Sequence, residues 1–221
     1  MPMQTSDPYR LSDLTIAALN KGTARLFERY SQKMNLAKFD ELNVIRLVDR
    51  LYKELDEKAK AWMKDLYVMR YEEAFKSVAV GRKDRVELDD DEIDELAEME
   101  MANLLEEPDA VTRYAYSAEV FRKRDRLKEA LNSVNSSTER NYELQKAMRF
   151  WSQMVAQYCD TTSDAATVKA FQNAGVERVM WHTQEDQRVC GECDELDKKI
   201  FSVNTLPPKP HWGCRCWISP A

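Results

Sequence analysis

The sequence predicts a mostly helical protein. A long-helix N-terminal bundle or arm spans about residues 1–135, and a small α+β domain pinned by a cysteine cluster spans 136–221. Three observations lead there. First, charged residues make up 33% of the 221, with only five glycines and seven prolines, a composition that favours long helices. Second, apolar residues recur at three- and four-residue steps through most of the chain before Gly175, the period of a helix face. Third, four of the five cysteines, both histidines and a Pro-rich run crowd into the last stretch, 176–221. A chain of this length can bury a sizeable core as one or two domains.

Residues 1–9 read as a free arm. Ser12-Asp13 predicts a helix cap, with the helix running to about Met34 and Leu14, Ala18, Phe27 and Tyr30 among its apolar positions. From Asp40 to Val80 neither Pro nor Gly intervenes. Leu42, Ile45, Val48, Leu51, Leu55, Ala59, Trp62, Met63, Leu66 and Met69 mark one stripe there. The spacing predicts one long helix, about 40–80, acting as a strut, a coiled-coil arm or the spine of a bundle. Trp62 and Tyr67 are expected in the core. If the chain self-associates, the stripe of 42–69 is the candidate surface.

Gly81-Arg82-Lys83-Asp84-Arg85 reads as a break. An acidic helix follows, with Leu88, Ile93, Leu96, Met99, Leu104 and Leu105 as apolar positions and no Lys or Arg from Glu87 through Glu107. The three aspartates Asp89-Asp90-Asp91 suit a helix N-terminus, where the dipole is positive. A divalent-metal reading is the weaker alternative, because adjacent helical carboxylates point apart. Asp89, Asp90, Asp91, Asp94, Glu95 and Glu98 form a candidate face for docking a basic partner.

Pro108 predicts the first turn of another helix, to about Val134. Its basic stretch, Arg122, Lys123, Arg124, Arg126 and Lys128, surrounds the helix and is expected to pair with the acidic helix, not to form a DNA patch. Asn135-Ser136-Ser137-Thr138 reads as a loop ending in a cap. A helix from Glu139 to about Cys159 is expected next, with Tyr142, Leu144, Met148, Trp151, Met154, Val155 and Tyr158 apolar. Cys159 stands apart and reads as a small core residue. Thr161-Thr162-Ser163-Asp164 predicts a second cap and a short helix closed by Gly175.

Val179-Met180-Trp181-His182-Thr183 alternates like a strand. His182 in it reads as a half-buried polar residue. Cys190-Gly191-Glu192-Cys193 then places two thiols on one tight turn, suited to two corners of a tetrahedral zinc site. His211, Cys214 and Cys216 add a second group of soft ligands. Two such groups across a short excursion outline a structural zinc module. The expected ligands are Cys190 and Cys193 plus two of His211, Cys214 and Cys216. Cys214 and Cys216 can share an ion only if the chain turns between them. Reduced thiols packed without metal and disulfides are the alternatives. A Cys-His nucleophile, Cys190 or Cys214 with His211, lacks an accompanying oxyanion-hole motif.

Asp186-Gln187-Arg188-Val189 leads into the first cysteine pair. Leu196-Asp197, Ile200-Phe201, Leu206-Pro207-Pro208, His211 and Cys214-Arg215-Cys216 follow. This order resembles the C-terminal signature of the Mu F-like minor head proteins of tailed bacteriophages, the head-morphogenesis family. The resemblance covers about the last 45 residues. The chain departs from it twice: Lys198 stands where the family has the Gly of Leu-Asp-Gly, and Trp212 follows His211 in place of Pro. The missing glycine predicts a turn of another form. The resemblance implies a minor structural protein of a phage head. Such a protein associates with portal or inner capsid proteins, and with packaged DNA at most indirectly. It assists assembly or DNA delivery without catalysis, and it resides in the host cytoplasm before the virion head.

Charge and hydropathy narrow the classes further. The net charge is −6, so the whole molecule is not built to bind a polyanion. Residues 176–221 carry seven acids and six bases, which weighs against the alternative of a zinc-ribbon nucleic-acid module. A second alternative, a zinc-dependent nuclease or hydrolase, would have to work with His182 and His211 alone. No apolar run approaches the roughly 18–20 residues of a membrane span. The opening Met1-Pro2-Met3-Gln4 has no signal-peptide core, so a soluble cytoplasmic protein is expected.

Overall fold

The computed structural model describes residues 10–36, 41–79, 83–108, 114–184 and 189–221. The expected arm at 1–9, and Asp40, Gly81, Arg82 and Asp186–Arg188 of the sequence reading, lie outside these residues. Six helices and three strands follow in order: α1 Arg10–Leu36, α2 Glu41–Val78, α3 Asp90–Glu106, α4 Tyr116–Asn132, α5 Ser137–Asn173, β1 Arg178–His182, α6 Gly191–Leu196, β2 Ile200–Ser202 and β3 Trp217–Pro220. The expected class, mostly helical with a small α+β end, is what the chain adopts.

α2 and α5 are the spine. Their 38 and 37 residues give rods of roughly 55 Å each at 1.5 Å per residue. They pack along one another, and α1 lies on both. α4 covers α2 and α5, and α3 covers α2 and α4. So the long helix is the spine of a bundle. Val48, Leu51, Leu55, Ala59, Met63, Leu66, Tyr67 and Tyr71 of α2 are buried. Tyr52 meets Trp151 of α5 edge to face, with ring centroids 5.5 Å apart.

Several expected apolar positions point outward instead. Leu14, Leu42, Met69, Met99 and Tyr142 are exposed, and Trp62 is 40% exposed. On α2 the cause is phase: Tyr52, Tyr67 and Tyr71 take inward positions, which turns Trp62 and Met69 away. Most of the 42–69 stripe is thus covered by the chain's own α1 and α5 and is not the free surface expected for self-association.

Helix ends follow local chemistry with three corrections. Asp89 caps α3 and Ser136 caps α5, each in a reciprocal box with the Glu three residues on. Ser12, expected as a cap, sits inside α1, buried, and donates to Asp160 Oδ1 at 2.6 Å. Pro108 does not open a helix. It follows the extended cap Glu107 of α3, and the next described helix begins at Tyr116. The Thr161–Asp164 run does not break α5. Thr161, Thr162 and Thr167 donate to carbonyls four residues back, at 3.1, 2.7 and 2.8 Å, so their hydroxyls are satisfied inside one helix. Gly175 (φ 71°) closes α5 as expected.

Among the described residues, the basic stretch of α4 makes its ion pairs elsewhere than on the acidic helix. Arg122 and Lys123 pair with Glu119 one turn back, and Arg124 and Lys128 pair with Asp49 of α2 and with Asp125. Arg126 lies over the Phe150 ring.

The sheet is antiparallel in the order β2-β1-β3. Val179 and Trp181 share one face of β1. Val179 enters the helical core, and Trp181 enters a second, smaller cluster with Cys193, Cys214 and Cys216. The main core itself crosses residue 135, running from Leu19 in α1 to Val203 beyond β2. Among the described residues, no helix is long and apolar enough to cross a membrane.

Candidate metal centre

The centre is assembled by three turns hung on β1. α5 ends at Gly175 and delivers β1 as the middle strand, so both edges of the sheet carry chain that returns to Trp181. The turn after α6 closes beneath it. Lys198 N–H donates to the Trp181 carbonyl at 2.8 Å, and Asp197 Oδ1 accepts from Thr183 N–H at 2.8 Å. That amide holds the Asp197 carboxyl below its usual range. Lys198 adopts a left-handed φ of 60°. The turn therefore keeps the form that a glycine would give, against the expectation, because these two bonds impose it.

Cys190 caps α6, and its Sγ accepts from Cys193 N–H at 3.4 Å. This bond sets both thiols of the first pair on one side of the turn. The second group sits on a turn in which Cys214 N–H donates to the His211 carbonyl at 3.3 Å and Gly213 takes φ 68°. Gly213 N–H donates to Gln157 Oε1 at 2.9 Å, which ties this turn to α5. Sequence reasoning missed Gln157: a glutamine on a helix carries no signal of a contact made 56 residues away.

All five predicted donors come together, in two overlapping groups. Cys190, Cys193 and His211 have ligand atoms within 4.8 Å of one another, and so do Cys193, Cys214 and Cys216. Cys193 Sγ lies 3.2 Å from His211 Nε2 and 3.6 Å from Cys214 Sγ. The chain does turn between Cys214 and Cys216, which answers the one geometric condition the sequence left open. The four predicted cysteines and Cys159 are all free thiols.

The donor set fits a soft or borderline cation. Burial pushes the Cys193 thiol up, and contact with Cys216 followed by burial pushes Cys214 up. A cation among these sulfurs would supply the positive charge that ionises them. His211 is set for ligation. Its Nδ1 lies 2.9 Å from the Trp212 carbonyl oxygen, which can only accept, so Nδ1 carries the proton and Nε2 turns its lone pair toward Cys193.

The other candidate residues lie elsewhere. Cys159 is fully buried on α5, as expected of a small core residue, and burial pushes its thiol far up. His182 stacks on Trp217 with centroids 4.2 Å apart, and its Nε2 is 2.8 Å from Ser219 Oγ. Asp89, Asp90, Asp91, Asp94, Glu95 and Glu98 are all exposed on α3. Asp89 is spent on the cap. Lys64 of α2 takes both Asp94 and Glu98 at 2.8 Å.

Residues 123–219 match the family of phage Mu protein F like proteins. The match agrees with the resemblance carried by the tail, and it reaches further back. It takes in most of α4, all of α5, the sheet but for Pro220, and the five donors, and leaves residues 1–122 outside. No curated protein and no solved structure matches the chain.

Proposed function

We propose that this chain is a minor capsid protein of a tailed bacteriophage, a head-morphogenesis factor acting at the portal or inner head. The observation that carries the reading is the Mu F-like match over the span that holds the donor cluster. The protein works by docking, not by catalysis. It assists head assembly or DNA delivery, first in the host cytoplasm and then in the virion head, with portal or capsid proteins as partners.

The donor cluster supports a structural zinc ion bound by Cys190, Cys193, His211, Cys214 and Cys216, four at a time. The ion would supply the cross-link that short strands of five, three and four residues lack. The chain's own part is to hold the donors. Cys190 and His211 are oriented by backbone bonds, Trp181 shields the sulfurs, and Gln157 anchors the second turn. The outer acids of α3, Asp90, Asp91 and Glu95, are the proposed docking face for a basic partner surface.

The test is co-expression of the tagged chain with the portal and major capsid proteins of its phage, followed by purification of heads. Recovery in the heads, and loss of recovery when Asp90, Asp91 and Glu95 are changed to Lys, are the expected results. Heads of normal composition and infectivity formed without the chain would defeat the proposal.

A further inference from the structure

Five donors converge where a tetrahedral ion takes four, and they do so around one sulfur. Cys193 belongs to both groups of mutually close donors, whereas Cys190 and His211 belong to one and Cys214 and Cys216 to the other. We infer that Cys193 is the one indispensable donor and that the remaining four are a redundant set, any three of which complete the coordination. This rests on the metal reading above and adds to it a spare ligand.

The four spare donors hang on three separate anchors. Cys190 is fixed by the α6 cap, through the Cys193 amide. His211 and Cys214 ride on the turn that Gly213 ties to Gln157. Cys216 stands one residue before β3, whose pairing with β1 fixes its position. Loss of one donor therefore leaves the others in place, because no two rely on the same anchor, the His211–Cys214 turn apart. Zinc has no d-electron preference among tetrahedral arrangements, so it accepts any of the resulting four-donor sets. A small cavity of about 120 Å³, lined by Cys193, His211, Gly213, Arg215 and Cys216 among others, gives the side chains room to shift. Cys193 is different. It is 3% exposed at the middle of the cluster, and without it the two pairs lose the sulfur that both groups share.

The experiment measures zinc per chain by elemental analysis, and zinc release to a chromogenic chelator, on the full-length protein. The single variants are Cys190→Ser, Cys193→Ser, His211→Ala, Cys214→Ser and Cys216→Ser, with Cys190→Ser/Cys216→Ser as a double. Far-UV circular dichroism checks that the helical body is intact in each. The expected result is wild-type stoichiometry in four singles with faster release, and loss of zinc in Cys193→Ser. The double, left with three donors, also loses its zinc although each parent keeps it. That pattern does not depend on whether Cys193→Ser folds fully. Retention of zinc in Cys193→Ser overturns the special place of Cys193, and loss of zinc in any other single, or retention in the double, overturns the redundancy, each while leaving a metal centre. Absence of zinc from the wild-type protein after anaerobic purification with zinc supplied overturns both.

Discussion

The helical body and the cysteine-bearing end are built on opposite principles. The body is redundant in apolar contact: two spine helices of nearly 40 residues share one core, and rings such as Tyr30, Tyr52, Tyr67, Tyr71 and Trp151 are almost wholly buried. The end has strands of three to five residues and a core made of Trp181 and three cysteines. Burial of apolar area scales with size, so the first region carries most of the apolar burial, and the second shares in it through Val176, Val179 and Val203 alone among its fully buried residues. The difference teaches where a mutation should hurt. In the body a lost side chain costs packing energy. In the end the loss of Cys193, or of two donors together, would cost the proposed cross-link.

The sharpest break between them is metal removal. Structural zinc contributes on the order of 10 kcal/mol to small metal-bound modules at neutral pH, and its ligands must be deprotonated. Chelation, or acid below the range where thiolate ligation holds, is expected to loosen 176–221 first. Helical circular dichroism should persist while Trp181 fluorescence and cluster thiol reactivity change. Loss of both signals together, at one chelator concentration, would mean that the two regions are one cooperative unit.

The converse break is Trp151→Ala in the body. A fully buried Trp that meets Tyr52 edge to face should cost about 3–5 kcal/mol when truncated. Urea unfolding followed at the helical band should show the loss. Zinc content of the folded fraction is expected to stay at the wild-type level, and a fall in it would remove the contrast.

Asp160 probes the joint. It lies on α5 where Ser12 of α1 donates to it, with Asp13, Asp164 and Lys209 as charged neighbours. Lys209 reaches Asp164 at 2.5 Å and Arg215 reaches Asp13 at 3.6 Å, so the cysteine end closes over this spot. Burial raises the Asp160 carboxyl to about 6, above the roughly 3.9 of an unfolded chain. The folded state thus holds a proton that the unfolded state releases between those values. Its contribution to stability is fully present below about pH 4 and is lost as pH rises through about 6. Asp160→Asn should therefore stabilise the protein by on the order of 2 kcal/mol at pH 7.5 and by almost nothing at pH 4. An equal effect at both pH values would refute the burial account.

The two regions also differed in how far the sequence revealed them. In the body the helical class and the long spine were legible, because periodicity survives any tertiary context. Phase was not: Trp62 reads as core by type, yet the inward tyrosines of α2 rotate it to the surface. Breaks were misread for a similar reason. The run at Thr161–Asp164 has cap composition, but hydroxyls bonded four residues back let α5 continue. In the end the donors were legible because cysteine spacing is chemistry, and all five converge. Their anchor Gln157 was not, and neither was the Ser12–Asp160 bond between α1 and α5, since long-range polar contacts leave no local pattern.

Lys198 is the finest test of the contrast, because it sits in the weak region and acts through backbone alone. A non-glycine residue held at φ 60° costs about 1–2 kcal/mol. Glycine would relieve that cost but would free more unfolded-state entropy, worth roughly 0.5–1 kcal/mol. The ion pair from the exposed Lys198 to the half-buried Asp197, at 3.5 Å, adds little. Lys198→Gly should therefore stabilise the cysteine end by about 0.5–1 kcal/mol. The gain should appear as slower zinc release and slower exchange of the Thr183 amide, with no change in urea unfolding of the helical band. Ala at the same position should do neither, since it keeps the Cβ that the left-handed turn disfavours. If Gly and Ala behave alike, the turn carries no backbone strain. The two bonds through Asp197 and Trp181 would then be a convenience of the turn and not what forces its shape.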